Sequence, residues 1–142
     1  QGNDNSTPKN IAVETGLHGL GETVSNEKIE MRLINVETVE TIGDFTAGLG
    51  NYFLIPEISI TSLEDDQYIS PSMHFEIENE NGDISELSLA TSILDNFIGN
   101  PTLNAGESIT GKLAFQVNKN SEYYILKFEK DDLAMIRYRF SP

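Results

Sequence analysis

The chain has 142 residues, with 9 Lys and Arg against 23 Asp and Glu, a formal net charge of −14 and no cysteine. That length suits one domain burying roughly two thirds of its unfolded surface, and the missing thiols exclude disulfides, thiolate zinc sites and a cysteine nucleophile. The acidic balance argues against nucleic acid as a partner, since phosphates need a basic footprint, and no apolar run approaches the ~18 residues of a membrane-spanning helix.

In chain order, Gln1 to Asn10 (QGNDNSTPKN) is polar and lacks large apolar side chains. It reads as part of a flexible leader over residues 1–12, preceding a domain over 13–142, because it cannot bury enough surface to offset its ordering entropy. Asn5-Ser6-Thr7 matches a glycosylation sequon, a weak three-residue signal. From Ile29 onward apolar residues alternate with polar ones. Ile29, Met31 and Leu33 share a face, and Val36 breaks that phase, which predicts a bulge near Leu33-Ile34. Tyr52, Leu54, Ile58 and Ile60 share a second strand's face with Pro56, whose missing N–H predicts an edge strand or a bulge there. Met73, Phe75 and Ile77 form a third set. Only Thr91 to Phe97 has the pattern of a short helix. Ile109, Leu113, Phe115 and Val117 follow, then Tyr124, Leu126 and Phe128, then Ala134, Ile136, Tyr138 and Phe140.

Turn chemistry separates these runs, and one register is decidable. In the hairpin around Asn81-Gly82, a two-residue turn sets Leu87 opposite Glu76, on the wrong face. A three-residue loop with Gly82 left-handed sets Leu87 opposite Phe75, Leu89 opposite Met73 and Glu76 opposite Glu86. The second register is predicted. Six to eight short strands in about 130 ordered residues predict an all-β fold, an antiparallel β-sandwich. Its predicted core is Leu33, Leu54, Ile58, Ile60, Phe75, Ile77, Leu113, Phe115, Val117, Leu126 and Phe128.

The charge is unevenly placed. From Leu33 through Gly111 there are 14 acids and no Lys or Arg, while the rest of the chain carries 9 of each sign. Glu76 facing Glu86 on the outer face is mutually repulsive, so relief must come from the basic C-terminal strands, from salt or from a bound cation. No cofactor is expected, and simple screening is favoured over a divalent site because no stretch spells a ligand loop; calcium is the ion weighed against that, with Glu64, Asp65, Asp66, Glu76 and Glu86 as its candidate ligands. Asn79 to Asp83 fails as a calcium-binding EF-hand loop, because alignment on Gly82 puts Ile77 and Ser88 at the terminal ligand positions.

Catalytic signals are few. Gly106-Glu107-Ser108-Ile109-Thr110 misses the nucleophile elbow at its fifth position and leads into a strand rather than a helix. Only His18 and His74 could serve as a base. Gly19-Leu20-Gly21 and Gly48-Leu49-Gly50 lack the third glycine of a phosphate loop. Tyr52, Phe53, Tyr68, Tyr123 and Tyr124 raise a different possibility, an aromatic surface for a peptide or glycan, since consecutive rings on a strand point to opposite faces.

The segments Gly19–Val24, Ile29–Val39, Tyr52–Thr61 and Phe75–Asp83 are followed by Leu103-x-x-Gly106-Glu107-x-x-x-Gly111-x-Leu113-x-Phe115-x-Val117. In this order, over Gly19 to Phe128, they resemble a family of uncharacterised extracellular domains of Gram-positive lipoproteins. That family is similar in fold to a secreted actinobacterial immunoprotective antigen. The resemblance implies an immunoglobulin-like sandwich of seven or eight strands. It also implies an extracellular module held to the envelope by a lipid-modified cysteine just upstream of Gln1. The family has no agreed catalytic residues, so none transfers. The expected function is a non-enzymatic binding or accessory module for an envelope protein, peptide or glycan. A calcium-binding domain is the alternative, and a hydrolase with an acidic site a weaker one.

Overall fold

Alternation builds the first long strand. In β2 (Ile29–Val39), Ile29, Met31 and Leu33 are buried while Glu30 and Arg32 are exposed, the signature of a sheet with one face on a core. The structure, a computed structural model, describes residues 16–130 and 135–142. The leader 1–12, Asp131-Asp132 and Ala134 lie outside those residues.

β2 is flanked by β1 (Thr23–Ser25) and by the 12-residue β5 (Asn51–Ser62). Its register against β5 jumps between Leu33 and Asn35, so Ile34 is the predicted bulge. The far side of β5 holds β10 (Ser108–Lys112) and β11 (Phe115–Asn118) in succession. β5 is therefore a central strand, which corrects the edge reading of Pro56. The reason is local. Lys112 faces Glu57 and Phe115 faces Leu54 in one unbroken register, so β10 and β11 are one line interrupted at Leu113-Ala114, beside the missing Pro56 N–H. Leu113 N donates to Pro56 O at 3.1 Å, so only the proline's own bond is lost.

The second sheet runs β13 (Ile136–Phe140), β12 (Tyr124–Phe128), β7 (Phe75–Asn79), β8 (Ile84–Glu86), all antiparallel. With β10 and β11 sharing one lane, each sheet has four lanes, and together they make an immunoglobulin-like β-sandwich. Short pairs complete the described strands: β3 (Thr41–Ile42) with β4 (Phe45–Thr46), and β6 (Gln67–Tyr68) with β9 (Thr102–Leu103). All eleven predicted core residues are buried between the sheets, joined by Tyr124, Ile136, Tyr138 and others.

The β7–β8 register is the predicted one, with Glu76 opposite Glu86 and Gly82 at φ +82°. Its length is not. Pairing stops at Glu86, and Met73 lies in a helical turn over Pro71–His74, because Pro71 sets a helical φ at its first position. Leu87 instead bridges Phe115 across the sandwich, and Leu89 opens a 3-10 turn (Leu89–Ile93). The helix expected over Thr91–Phe97 is thus displaced. Ser88 decides it by accepting from Ala90 N, while Leu94 has extended backbone and Asn96 a φ of +61°.

The outward face of β5 is also covered. Phe53 and Ile55 pack with Ile42, Ala90 and Ala114 in a second cluster under the β3–β4 hairpin and the 3-10 turn. A minor third layer therefore lies on one side of the sandwich.

Candidate functional site

The candidate catalytic groups lie apart. Ser108 Oγ is 2.6 Å from Thr61 Oγ1 on the neighbouring strand. His18 Nδ1 lies 2.6 Å from Glu22 Oε2, and the hydrogen bonds His18 first, then Gly19 N, hold the Glu22 carboxyl below the usual carboxylate range. His74, read from sequence as an outward strand residue, ends the Pro71 turn and accepts from Ser70 N through Nδ1 at 3.0 Å. Its ring meets Phe128 edge-on. Each polar side chain is used to fasten a loop or a strand end.

The acidic candidates fall into two places. Glu64 Oε1 accepts from Gln67 Nε2, Asp65 Oδ1 from Ala105 N, and Asp66 N donates to Asn104 Oδ1. Together they stitch the loop after β5 to the Asn104–Glu107 turn. Glu76 and Glu86 face each other across β7 and β8 as the register requires. On the other side of β7, Lys127 Nζ is 2.9 Å from Glu78 Oε1 and 3.2 Å from Glu76 Oε2. Those contacts, Glu78 foremost, raise the lysine's pKa. A C-terminal strand thus supplies the relief that the acidic block lacks. Among the described residues no three His, Asp or Glu side chains are gathered as a metal ion needs.

The turn-and-strand motif proves architectural. Gly106 has φ +88°, and Glu107 Oε1 caps Asn104 N at 2.7 Å. At Gly111 a Cβ would stand 2.5 Å from Asn96 O and 2.8 Å from Ile98 Cγ1. Glycine is required there because residues 96–98 run close beside the strand in a parallel bridge of Phe97 with Lys112, held by Lys112 N to Asn96 O and Ile98 N to Lys112 O. That segment builds one wall of a cleft of about 200 Å³ lined by Pro71, Leu87, Leu89, Phe97, Ile98 and Thr91. Leu89 is 83% exposed and Phe97 44%. Sequence reading did not find this cleft: Leu89 has the phase of a buried strand residue, and nothing in the pattern marks it as solvent-facing.

A family model describing a domain of unknown function, DUF4352, matches residues 18–135. The chain belongs to the DUF4352 family. No curated protein matches it in sequence. Three solved structures share the fold of this DUF4352 domain. The yjhA protein of Bacillus subtilis is 15% identical with a TM-score of 0.67, covering 88% of this chain and 100% of its own. The secreted protein MPT63 of Mycobacterium tuberculosis is 16% identical with a TM-score of 0.62, covering 89% and 96%. The candidate lipoprotein ycdA of Bacillus subtilis is 15% identical with a TM-score of 0.61, covering 83% of this chain and 38% of its own.

The aromatic surface weighed from sequence is not assembled in the DUF4352 domain. Phe53 and Tyr124 are buried, and Tyr124 OH donates to Asn118 O. Tyr123 lies under Arg139, whose guanidinium carbon is 3.8 Å from the ring centre. Tyr52 contacts Tyr124. Tyr68 alone of the five is largely exposed, so the larger apolar opportunity is the aliphatic cleft around Leu89.

Proposed function

We propose that this domain is a non-catalytic binding or accessory module outside the cell, tethered to the envelope by a lipid anchor upstream of Gln1. Its ligand is an apolar segment of a neighbouring envelope protein or peptide, seated in the cleft between the Pro71 turn and the 3-10 turn. The open cleft carries the reading, since its apolar lining and the exposed Leu89 and Phe97 stand together in one place rather than singly. The Ser72 hydroxyl in its lining suits the backbone of an extended peptide. The engagement of Ser108, His18 and His74 in structural hydrogen bonds supports a role other than hydrolysis. Fold likeness to a secreted protein and to a candidate lipoprotein supports the location.

The test is site-specific photo-crosslinking in intact source cells. A photoreactive residue at Ser92 is expected to capture a discrete envelope partner, lost on Leu89→Asp and absent when the probe sits at Thr23. Equal capture from both positions overturns the cleft. A full-length precursor retained in the cytosol, with no lipid label incorporated, overturns the location.

A further inference from the structure

One stretch of chain supplies all the walls of the cleft. Every residue that lines it lies between Pro71 and Asn100, inside the segment from Leu33 through Gly111 that carries 14 acids and no Lys or Arg. No lining side chain among the described residues is charged. Two acids stand in the segments that form the walls: Glu86 directly precedes Leu87, and Asp95 lies between Ser92 and Phe97. Both are exposed, and neither has a Lys or Arg within ion-pair distance among the described residues. Cations on the neighbouring elements are already held. Lys112, whose backbone bridges Phe97, sends its ammonium to Glu37 at 3.5 Å. Lys127 is held by Glu78 and Glu76, and Lys130 donates to Gln67.

We infer that the peptide segment seated in this cleft is cationic around its apolar anchor, with Lys or Arg on either side of one or two aliphatic side chains. This names the partner's chemistry and rests on the cleft reading above. A neutral segment fills the same apolar lining but leaves Glu86 and Asp95 without counter-charge. An acidic segment brings like charge against both, on a chain whose net charge is already −14. The apolar lining therefore holds the anchor, and the unpaired acids beside it choose among anchors by their flanks.

Size and charge set the strength. At about 200 Å³ the cleft is smaller than the roughly 300 Å³ at which small-molecule sites begin, so it seats side chains of a longer segment rather than a whole compact ligand. A short peptide is therefore held weakly, with a dissociation constant of about 0.1–1 mM. An exposed ion pair shifts an equilibrium by about 1.4- to 5-fold, so two of them favour the cationic segment over the neutral one by about 2- to 20-fold. That advantage shrinks as salt screens the flanks, while the apolar contact remains.

Amide spectra of the isotope-labelled whole chain, titrated with capped synthetic peptides, test this. Three peptides carry the same pair of leucines, flanked by lysines, by serines or by glutamates. Shifts are expected at Leu89, Phe97 and Ile98, with affinity falling from the lysine to the serine to the glutamate peptide at about 50 mM NaCl and the gap closing at about 1 M. A fourth peptide, with lysines around serines alone, is expected to leave those amides in place, which separates the cleft from general attraction to an acidic chain. Glu86→Gln with Asp95→Asn is expected to cut the lysine peptide's advantage at least twofold, and thermal melting establishes that this variant is folded. Equal affinity for the three leucine peptides overturns the inference and leaves the cleft reading standing. A lysine preference that the double variant leaves unchanged, or that shifts amides elsewhere, overturns it as well. No shift at the cleft from any peptide refutes the cleft reading and the inference with it.

Discussion

Gly111→Ala isolates one physical cause. The added methyl would lie 2.5 Å from the backbone oxygen of Asn96, and backbone cannot swing aside as a side-chain tip does. The segment 96–98 must lift, stretching the Lys112 N to Asn96 O bond of 2.8 Å and the Ile98 N to Lys112 O bond of 3.1 Å. Overpacking of this kind costs about 1–3 kcal/mol, and each weakened hydrogen bond adds up to about 1 kcal/mol. Removing a glycine from the unfolded chain returns about 0.4–1 kcal/mol. The net loss centres on about 2 kcal/mol, a sizeable part of the about 5–15 kcal/mol that holds a domain together. Two other glycines serve as controls. Gly106→Ala meets open space but carries φ +88°, so it is expected to lose about 1–2 kcal/mol from backbone strain alone. Gly99→Ala meets open space at an ordinary φ and is expected to be neutral or slightly stabilising. Urea unfolding followed by far-UV circular dichroism ranks the three. A Gly111→Ala variant within about 0.5 kcal/mol of the parent would refute the close approach of residues 96–98 and, with it, the wall of the cleft.

Phe115→Ala is expected to cost about 3–5 kcal/mol, because this wholly buried ring sits between the sheets, and the same urea series measures it. Lys127→Met keeps the aliphatic stem but leaves Glu76 and Glu78 without their cation; a loss of about 1 kcal/mol is expected, shrinking as NaCl is raised. Because that lysine already relieves the acidic face, calcium is expected to raise the melting temperature no more than NaCl of equal ionic strength; a saturable, chelator-reversed rise would overturn this. Burial raises the pKa of both Tyr124 and Tyr138, so the unfolded chain ionises them first and stability falls as pH climbs past the ordinary value of about 10. Absorbance at 295 nm is expected to show Tyr124 and Tyr138 titrating only as the fold is lost. On the acid side Glu22 and Glu80 are held low, Glu22 by His18 first and Glu80 by the Glu122 backbone N–H first. Their contribution is present above about pH 4.3 and disappears as pH falls through their lowered values, which an acid titration of the melting temperature reads.

Alternation by itself determined the sandwich and its interior. Period-two runs can bury only one face of a strand, so Leu54, Ile58 and Phe115 had one place to go, and a one-residue slip around Gly82 would have turned every partner outward. The bulge at Ile34 was equally legible, since it is a phase break within one strand. Whatever depended on chain segments remote in sequence was not legible. Pro56 reads as an edge residue until β10 and β11 are seen to break opposite it. Phe53 and Ile55 look like outward residues until the β3–β4 hairpin covers them. The carboxylates weighed as calcium ligands acquire their partners, Ala105 N for Asp65 and Lys127 for Glu76, from positions 40 and 51 residues away. Gly111 sits in a motif whose spacing is visible, but its purpose is set by Asn96 and Ile98 passing 2.5–3.2 Å from its missing side chain. Local patterns fix which face of an element is apolar; only the packing of distant elements decides what covers that face, and where, as at Leu89, nothing does.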